Sequence, residues 1–323
     1  MKTKVLTICV LAAVLAIAGS VSASTVDFEG FATDVSVNGQ GGWTVEDQWG
    51  NTSWGNDPAL YDQAVVDDGT GNTVWRISNA VTSGGISAQP MSQVKDQAAG
   101  EPGSALWNDK GPDHTSPLSP PNPGAYATTN YFYGAFDFRS ATGAAQNGLS
   151  ISVSPTAKYV DARQSYVSIA DDGVNGFDVF FYATGHTEDV WGANGSDEWV
   201  EVASDLSYTD WHNIEIAVEF ISGLEDVGGD LYGNDKVTVS VDGGVVHTGT
   251  TWETYWYTEP YGAGTGLQAV NTLTFPARGT AVPGTLGGGF FIDNVEVSNV
   301  PEPATMALLG LGGLGLLRRR KRA

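Results

Sequence analysis

Residues 211–221 read Trp211-His212-Asn213-Ile214-Glu215-Ile216-Ala217-Val218-Glu219-Phe220-Ile221. Ile214, Ile216, Val218 and Phe220 recur at every second position, with Asn213, Glu215, Ala217 and Glu219 between them. Successive side chains of a strand point to opposite faces, so this segment buries one face and wets the other. The same rhythm returns at 131–139, 149–154, 165–170, 176–182, 236–241, 245–248 and 289–297. Val241-Asp242-Gly243-Gly244-Val245 is a two-residue hairpin signal, because Asp and Gly tolerate the positive φ of a primed turn. Asp171-Asp172-Gly173 is a second turn of this kind. No stretch has a convincing helical period, although 91–99 has room for one short helical turn. Residues 100–125 hold six of the fourteen prolines, which rules out a central strand and predicts a long surface excursion. No internal repeat occurs, so neither a solenoid nor a propeller is expected.

Many strands, tight turns and a body without cysteine predict an all-β, two-sheet antiparallel sandwich over 24–299. Its markers are Asp27-Phe28-Glu29-Gly30-Phe31, Gln40-Gly41-Gly42-Trp43, Trp211-His212-Asn213-Ile214, Val239-Ser240-Val241-Asp242-Gly243 and Phe291-Ile292-Asp293-Asn294-Val295. Together they resemble the concanavalin A-like (laminin-G-like) jelly roll and its carbohydrate-binding relatives. That resemblance implies that the first and last strands pair and that a structural Ca2+ lies where they meet. Glu29 and Asp293 match the ligand positions, with Asp27 and backbone carbonyls as auxiliaries. Two carboxylates alone fall short of the six to eight oxygens calcium takes, so solvated strand ends are the competing reading.

The two ends of the chain carry processing signals. Lys2 and Lys4 precede an apolar run from Val5 to Ala18, and Val21-Ser22-Ala23 supplies the small residues of a signal-peptidase site. Residues 1–23 are therefore expected to form a signal helix that is cleaved after Ala23. Cys9 lies within this signal, so the exported body has no thiol for disulfides, zinc or nucleophilic catalysis. At the other end, 300–323 reads VPEPATMALLGLGGLGLLRRRKRA. Pro301, Glu302 and Pro303 stand before an uncharged run, followed by Arg318, Arg319, Arg320, Lys321 and Arg322. As a helix, 304–317 would reach only about 21 Å, short of a hydrocarbon core of roughly 30 Å. The basic cluster would stay on the cytoplasmic side and hold the segment as a transient membrane anchor. This layout resembles the PEP-CTERM sorting signal of Gram-negative bacteria. The resemblance implies processing by an exosortase and delivery to the cell envelope, cell surface or extracellular matrix.

With both ends set aside, eight Lys and Arg face thirty-six Asp and Glu, leaving the body near −28. Such a surface repels nucleic acid and anionic lipid, attracts cations and stays soluble outside the cell. Nucleic-acid binding is excluded.

Aromatic residues offer the leading ligand site. Trp252, Tyr255, Trp256, Tyr257 and Tyr261 crowd into residues 252–261. Strand alternation puts Trp252 and Trp256 on one face and Tyr255 and Tyr257 on the other, so one core cannot take them all. They either stack on sugar rings, with Glu253, Glu259 or Asp210 accepting hydroxyl hydrogen bonds, or cover the ends of the sandwich. Trp43, Trp49 and Trp54 form a looser second group. An acidic set, Glu225, Asp226, Asp230, Asn234 and Asp235, lies in a Gly-rich stretch and reads as a solvated loop or a cation site.

A catalytic constellation is not apparent. Glu215 and Glu219 share a face but stand about 13 Å apart along a strand, and Glu198 and Glu201 have opposite parity. His114, His186, His212 and His247 show no metal-ligand spacing, and no nucleophile elbow occurs. The expectation is a non-enzymatic exported protein that contacts extracellular polysaccharide. A calcium-bridged structural matrix component is the alternative, followed by a polysaccharide hydrolase or lyase lacking the usual motif.

Overall fold

The computed structural model describes residues 24–41, 43–46, 62–82, 91–95, 131–156, 165–183, 198–221, 225–227, 230–232, 234–252, 272–277 and 280–298. The signal segment, the Pro-rich excursion at 100–125, and the sorting tail lie outside these residues. Among those described, no helix is long and apolar enough to cross a membrane.

The strands form two antiparallel sheets facing each other across one core. The eight-stranded sheet runs β15 (Gly244–Gly249), β14 (Lys236–Val241), β11 (His212–Glu219), β6 (Tyr131–Ser140), β17 (Phe290–Ser298), β4 (Thr73–Ile77) and β3 (Gln63–Asp67), with β1 (Ser24–Val26) also on β17. The seven-stranded sheet runs β10 (Glu198–Leu206), β9 (Phe177–Ala183), β8 (Val167–Ala170), β7 (Ser150–Thr156), β16 (Thr272–Pro276), β5 (Met91–Lys95) and β2 (Thr44–Glu46). The sandwich is thus the jelly-roll type expected, and its first and last strands pair, with Ser24 opposite Val297 and Val26 opposite Val295.

Alternation governs burial as the sequence predicts. Ile214, Ile216 and Val218 are fully buried while Glu219 is exposed. An aromatic spine links the sheets: Trp43 lies 4.9 Å from Trp75, Trp75 5.3 Å from Phe275, and Phe275 5.2 Å from Phe136. Phe138, Phe177 and Phe290 continue it with centroid separations of 5.8 and 5.1 Å. Each such ring contributes roughly 1.5–3 kcal/mol by leaving water, which supplies the cohesion that disulfides would give. Trp43, read from the sequence as part of a loose aromatic group, is instead a core residue with no exposure. Residues 91–95, read as a helical turn, form β5, because Gln93 finds ladder partners in Thr44 and Thr274 on either side.

The hairpin from β14 to β15 closes on Asp242 and Gly243, at φ 50° and 75°. Asp242 does more than turn the chain. Its Oδ1 accepts the Asn213 N–H at 2.9 Å and its Oδ2 lies 2.9 Å from His212 Nδ1. His212 Nε2 in turn lies 3.1 Å from the Ser207 carbonyl, so one imidazole clips the β10–β11 turn to the hairpin.

β17 does not alternate throughout. Asp293 pairs with Asp137 but Glu296 pairs with Ala135, which marks a one-residue bulge where Asn294 takes φ 48°. The bulge switches parity, so Phe290 and Ile292 before it and Val295 and Val297 after it all face the core.

The acidic stretch 225–235 contains a short strand pair rather than a plain loop. Glu225–Val227 (β12) pairs with Asp230–Tyr232 (β13), and Asp235 is buried. Its Oδ1 accepts the Ile221 N–H at 2.7 Å and its Oδ2 the Thr251 hydroxyl at 2.8 Å. Desolvation pushes Asp235 up to about 6, against the pull of those two bonds. Asp235 is a structural carboxylate.

Candidate functional site

Cross-strand register brings one aromatic row together on the outer face of the seven-stranded sheet. Val179 and Phe181 point into the core, so Asp178, Phe180 and Tyr182 point outward. Tyr182 stands opposite Trp199 on β10, with ring centroids 5.0 Å apart. Trp252, immediately after the β14–β15 hairpin, packs edge-on to Tyr166 at 5.0 Å and lies 5.7 Å from Tyr182. Tyr166 is buried beneath this group, whereas Trp199 is 41% exposed and Tyr182 and Trp252 are half-buried. Of the sequence-predicted ligand residues, Trp252 therefore joins a built aromatic cluster. Tyr255, Trp256 and Tyr257 lie outside the described residues.

Trp199 stands alone among polar and aliphatic residues and Tyr182 ends the run Phe180-Phe181-Tyr182, so only the β9–β10 register brings the two together. Ser150, Ser152 and Ser154, opposite in parity to Ile151 and Val153, carry the same face onward as polar. Their environment is satisfied: Ser168 Oγ donates to the Ile151 carbonyl at 3.1 Å and Thr274 Oγ1 to the Ser154 carbonyl at 3.0 Å.

Beside the aromatic row lies a row of acids. Glu201 stands opposite Phe180, two residues along from the Trp199–Tyr182 pair, and Asp178 two further. The Asp205 N–H donates to Asp178 Oδ1 at 3.3 Å. Burial, with Glu201, Asp172 and Asp205 adding like charge, raises Asp178 above the ordinary carboxylate value despite that bond. Gly176, just before β9, permits this close approach, since a Cβ there would lie 2.5 Å from the Asp205 carbonyl carbon and the Leu206 oxygen.

The candidate cation residues sit on the other sheet. Glu29 Oε1 accepts the Thr73 N–H at 3.1 Å, and Asp293 Oδ2 accepts the Asn72 amide at 2.9 Å. The two carboxylates thus hold adjacent residues at the β3–β4 turn. Asp293 Oδ1 accepts the Asn294 N–H at 2.8 Å. Burial raises Asp293, and Asp137 and Asp27 add to the shift. Among the described residues, no group of three or more His, Cys, Asp or Glu is arranged to hold a metal.

Neighbouring acids on that sheet are paired. Asp62 Oδ1 meets Arg76 Nη2 at 2.7 Å, and its Oδ2 accepts the Ser78 hydroxyl and the Gly287 N–H. Burial opposes its charge, but Arg76, Ser78 and Gly287 outweigh it and lower Asp62. Asp68 meets Arg139 at 2.6 Å, and the Arg139 guanidinium carbon lies 4.8 Å from the Trp211 ring centre and 5.4 Å from that of Phe291.

Residues 299–322 match the family model described as the PEP-CTERM protein-sorting motif, and this marks the chain for export, exosortase processing and association with the envelope. No curated protein matches the chain in sequence. Solved structures with a similar outline include the alginate lyase Aly36B, at 9% identity over 86% of this chain and 96% of that one, with a TM-score of 0.44. The alginate lyase vAL-1 from Chlorella virus follows at 12% identity over 86% and 99%, TM-score 0.41. The globular domain of T. cruzi calreticulin stands at 9% identity over 91% and 95%, TM-score 0.39. Likeness at this level says nothing of activity or ligand.

Proposed function

We propose that this exosortase-sorted protein is a non-enzymatic glycan-binding module of the cell surface or extracellular matrix, contacting polysaccharide through the outer face of its seven-stranded sheet. The observation that carries this reading is the row of Trp252, Tyr182 and Trp199, where an exposed indole continues an aromatic pair resting on a buried tyrosine. Flat rings held by packing stack on the apolar faces of pyranoses without losing further side-chain entropy, and adjacent hydroxyl acceptors fix orientation. Tyr255, Trp256 and Tyr257 extend the same aromatic stretch in sequence and are proposed to join it. The module remains at the membrane through its tail until the exosortase acts, so location comes from the tail and adhesion from the sandwich.

The test is retention of the full chain on a panel of immobilised polysaccharides. Wild type is expected to be held by at least one, Trp199→Ala and Trp252→Ala are expected to be released, and a chain that none retains refutes the reading. Assay of the same polysaccharides for new reducing ends is expected to give none above background.

A second reading is calcium bridging between acidic matrix polymers, supported by the like charge that Asp137 and Asp27 place on the buried Asp293. Glu29 and Asp293 would provide the ligands after exchanging their amide donors for the ion. Calcium titration is then expected to raise the Tm of wild type and leave Asp293→Asn unmoved; equal curves refute it.

A further inference from the structure

We infer that the aromatic row selects glycans carrying protonated amino groups, such as polymers of glucosamine, and discriminates against uronates. This rests on the glycan-binding reading above and supplies the chemical class of its ligand.

The argument starts from what borders the rings. Trp199 and Glu201 share the outer face of β10, two residues apart, which is about 7 Å along a strand. A pyranose stacked on the exposed Trp199 ring, which is tilted 60° to that of Tyr182, therefore has its ring substituents within reach of the Glu201 carboxylate. Asp178 continues the line at a similar step, and Asp205 and Asp172 lie close enough to add like charge to it. Among the described residues, no Lys or Arg is paired with any of these four acids. Their mutual repulsion is left for a ligand to relieve.

Several acids of the opposite sheet are held differently. There Asp62 and Asp68 each hold an arginine, and Asp137 accepts the amides of Asn213 and Asn294. A cationic sugar gains twice on the seven-stranded face. Its ammonium meets carboxylates without a protein counter-ion, and it sits by the negative ring faces of Trp199 and Tyr182. A uronate brings its own carboxylate into the same field, where like-charge contact penalises the wrong partner.

Isothermal titration of the full chain with three oligosaccharides decides the matter: a glucosamine trimer, its N-acetylated counterpart and a uronate trimer, at a pH where the amines are charged. The glucosamine trimer is expected to bind at least about tenfold more tightly than the acetylated one, with no heat from the uronate. Trp199→Ala should abolish binding. Glu201→Gln should bring the two glucosamine ligands within about threefold of each other, while Glu219→Gln, which removes the same charge from an exposed site on the other sheet, should leave the ratio unchanged. If Glu219→Gln reduces the ratio as much as Glu201→Gln, general acidity is the cause and the inference falls. Equal binding of both glucosamine ligands, or preference for the uronate, also overturns it while leaving the glycan-binding reading intact. Failure of all three ligands to bind overturns the inference, whereas the glycan-binding reading falls only if the polysaccharide panel also retains nothing.

Discussion

The outer faces of the two sheets use their carboxylates in opposite ways. On the eight-stranded sheet, Asp62 and Asp68 each grip an arginine and Asp293 grips the Asn72 amide, tying the β3–β4 region to β6 and β17. On the seven-stranded sheet, Glu201, Asp178 and Asp205 lie beside the exposed Trp199 and half-buried Tyr182, with no Lys or Arg partner among the described residues. The difference teaches that a net charge near −28 is not a uniform coat. Asp62 and Asp68 are neutralised by arginines within the fold, whereas Glu201 and Asp178 border the Trp199–Tyr182 pair.

Removing one member of a partnered set should break the comparison most visibly. Asp62→Ala leaves Arg76 half-buried without its counter-ion and is expected to cost about 3 kcal/mol, read as a lowered urea midpoint. Asp235 sharpens the contrast, because it is buried and accepts hydrogen bonds from two neutral donors, the Ile221 N–H and the Thr251 hydroxyl. Folding raises it from 3.8 to about 6, so its ionised form opposes folding, and stability falls as pH climbs through that interval. Asp235→Asn should flatten this fall and gain about 1–2 kcal/mol at pH 7, measured by denaturation at a series of pH values. The imidazole clip is expected to matter less. Loss of the contacts to Asp242 and Ser207 in His212→Ala should cost about 1–1.5 kcal/mol by the same measurement. Smallest of all, Glu201→Gln should shift the urea midpoint by less than about 0.5 kcal/mol of stability, since nothing in the fold leans on that charge. A large loss there would erase the distinction between the two faces.

Alternation made most of the central strands legible. In β11 every buried and wet position follows from reading Ile214, Ile216 and Val218 against Glu215 and Glu219, because local pattern and tertiary burial agree there. The Asp242-Gly243 turn was legible for the same reason, its positive φ being demanded locally. β5 was not, since Met91 to Lys95 has no strand pattern of its own and is held by neighbours distant in sequence. The bulge at Asn294 likewise escapes any fixed period. The pairing of first and last strands followed from resemblance rather than from residue pattern. At the site, Trp252 stood out because aromatics cluster around it, while Trp199 and Tyr182 become one platform only through a register that sequence spacing does not encode.

The position of β17 carries a consequence for biogenesis. It lies between β6 and β4 in the interior of its sheet, yet it is the last of the described strands in chain order, ending at Ser298, and it also receives β1. A chain threaded outward from its amino terminus lacks this keystone until translocation is nearly complete, so maturation of the sandwich must await the last stretch before the tail. Closure of the sheet therefore waits on its carboxy-terminal strand, and Ser24 and Val297 stand side by side, so both ends of the sandwich meet at a single pole.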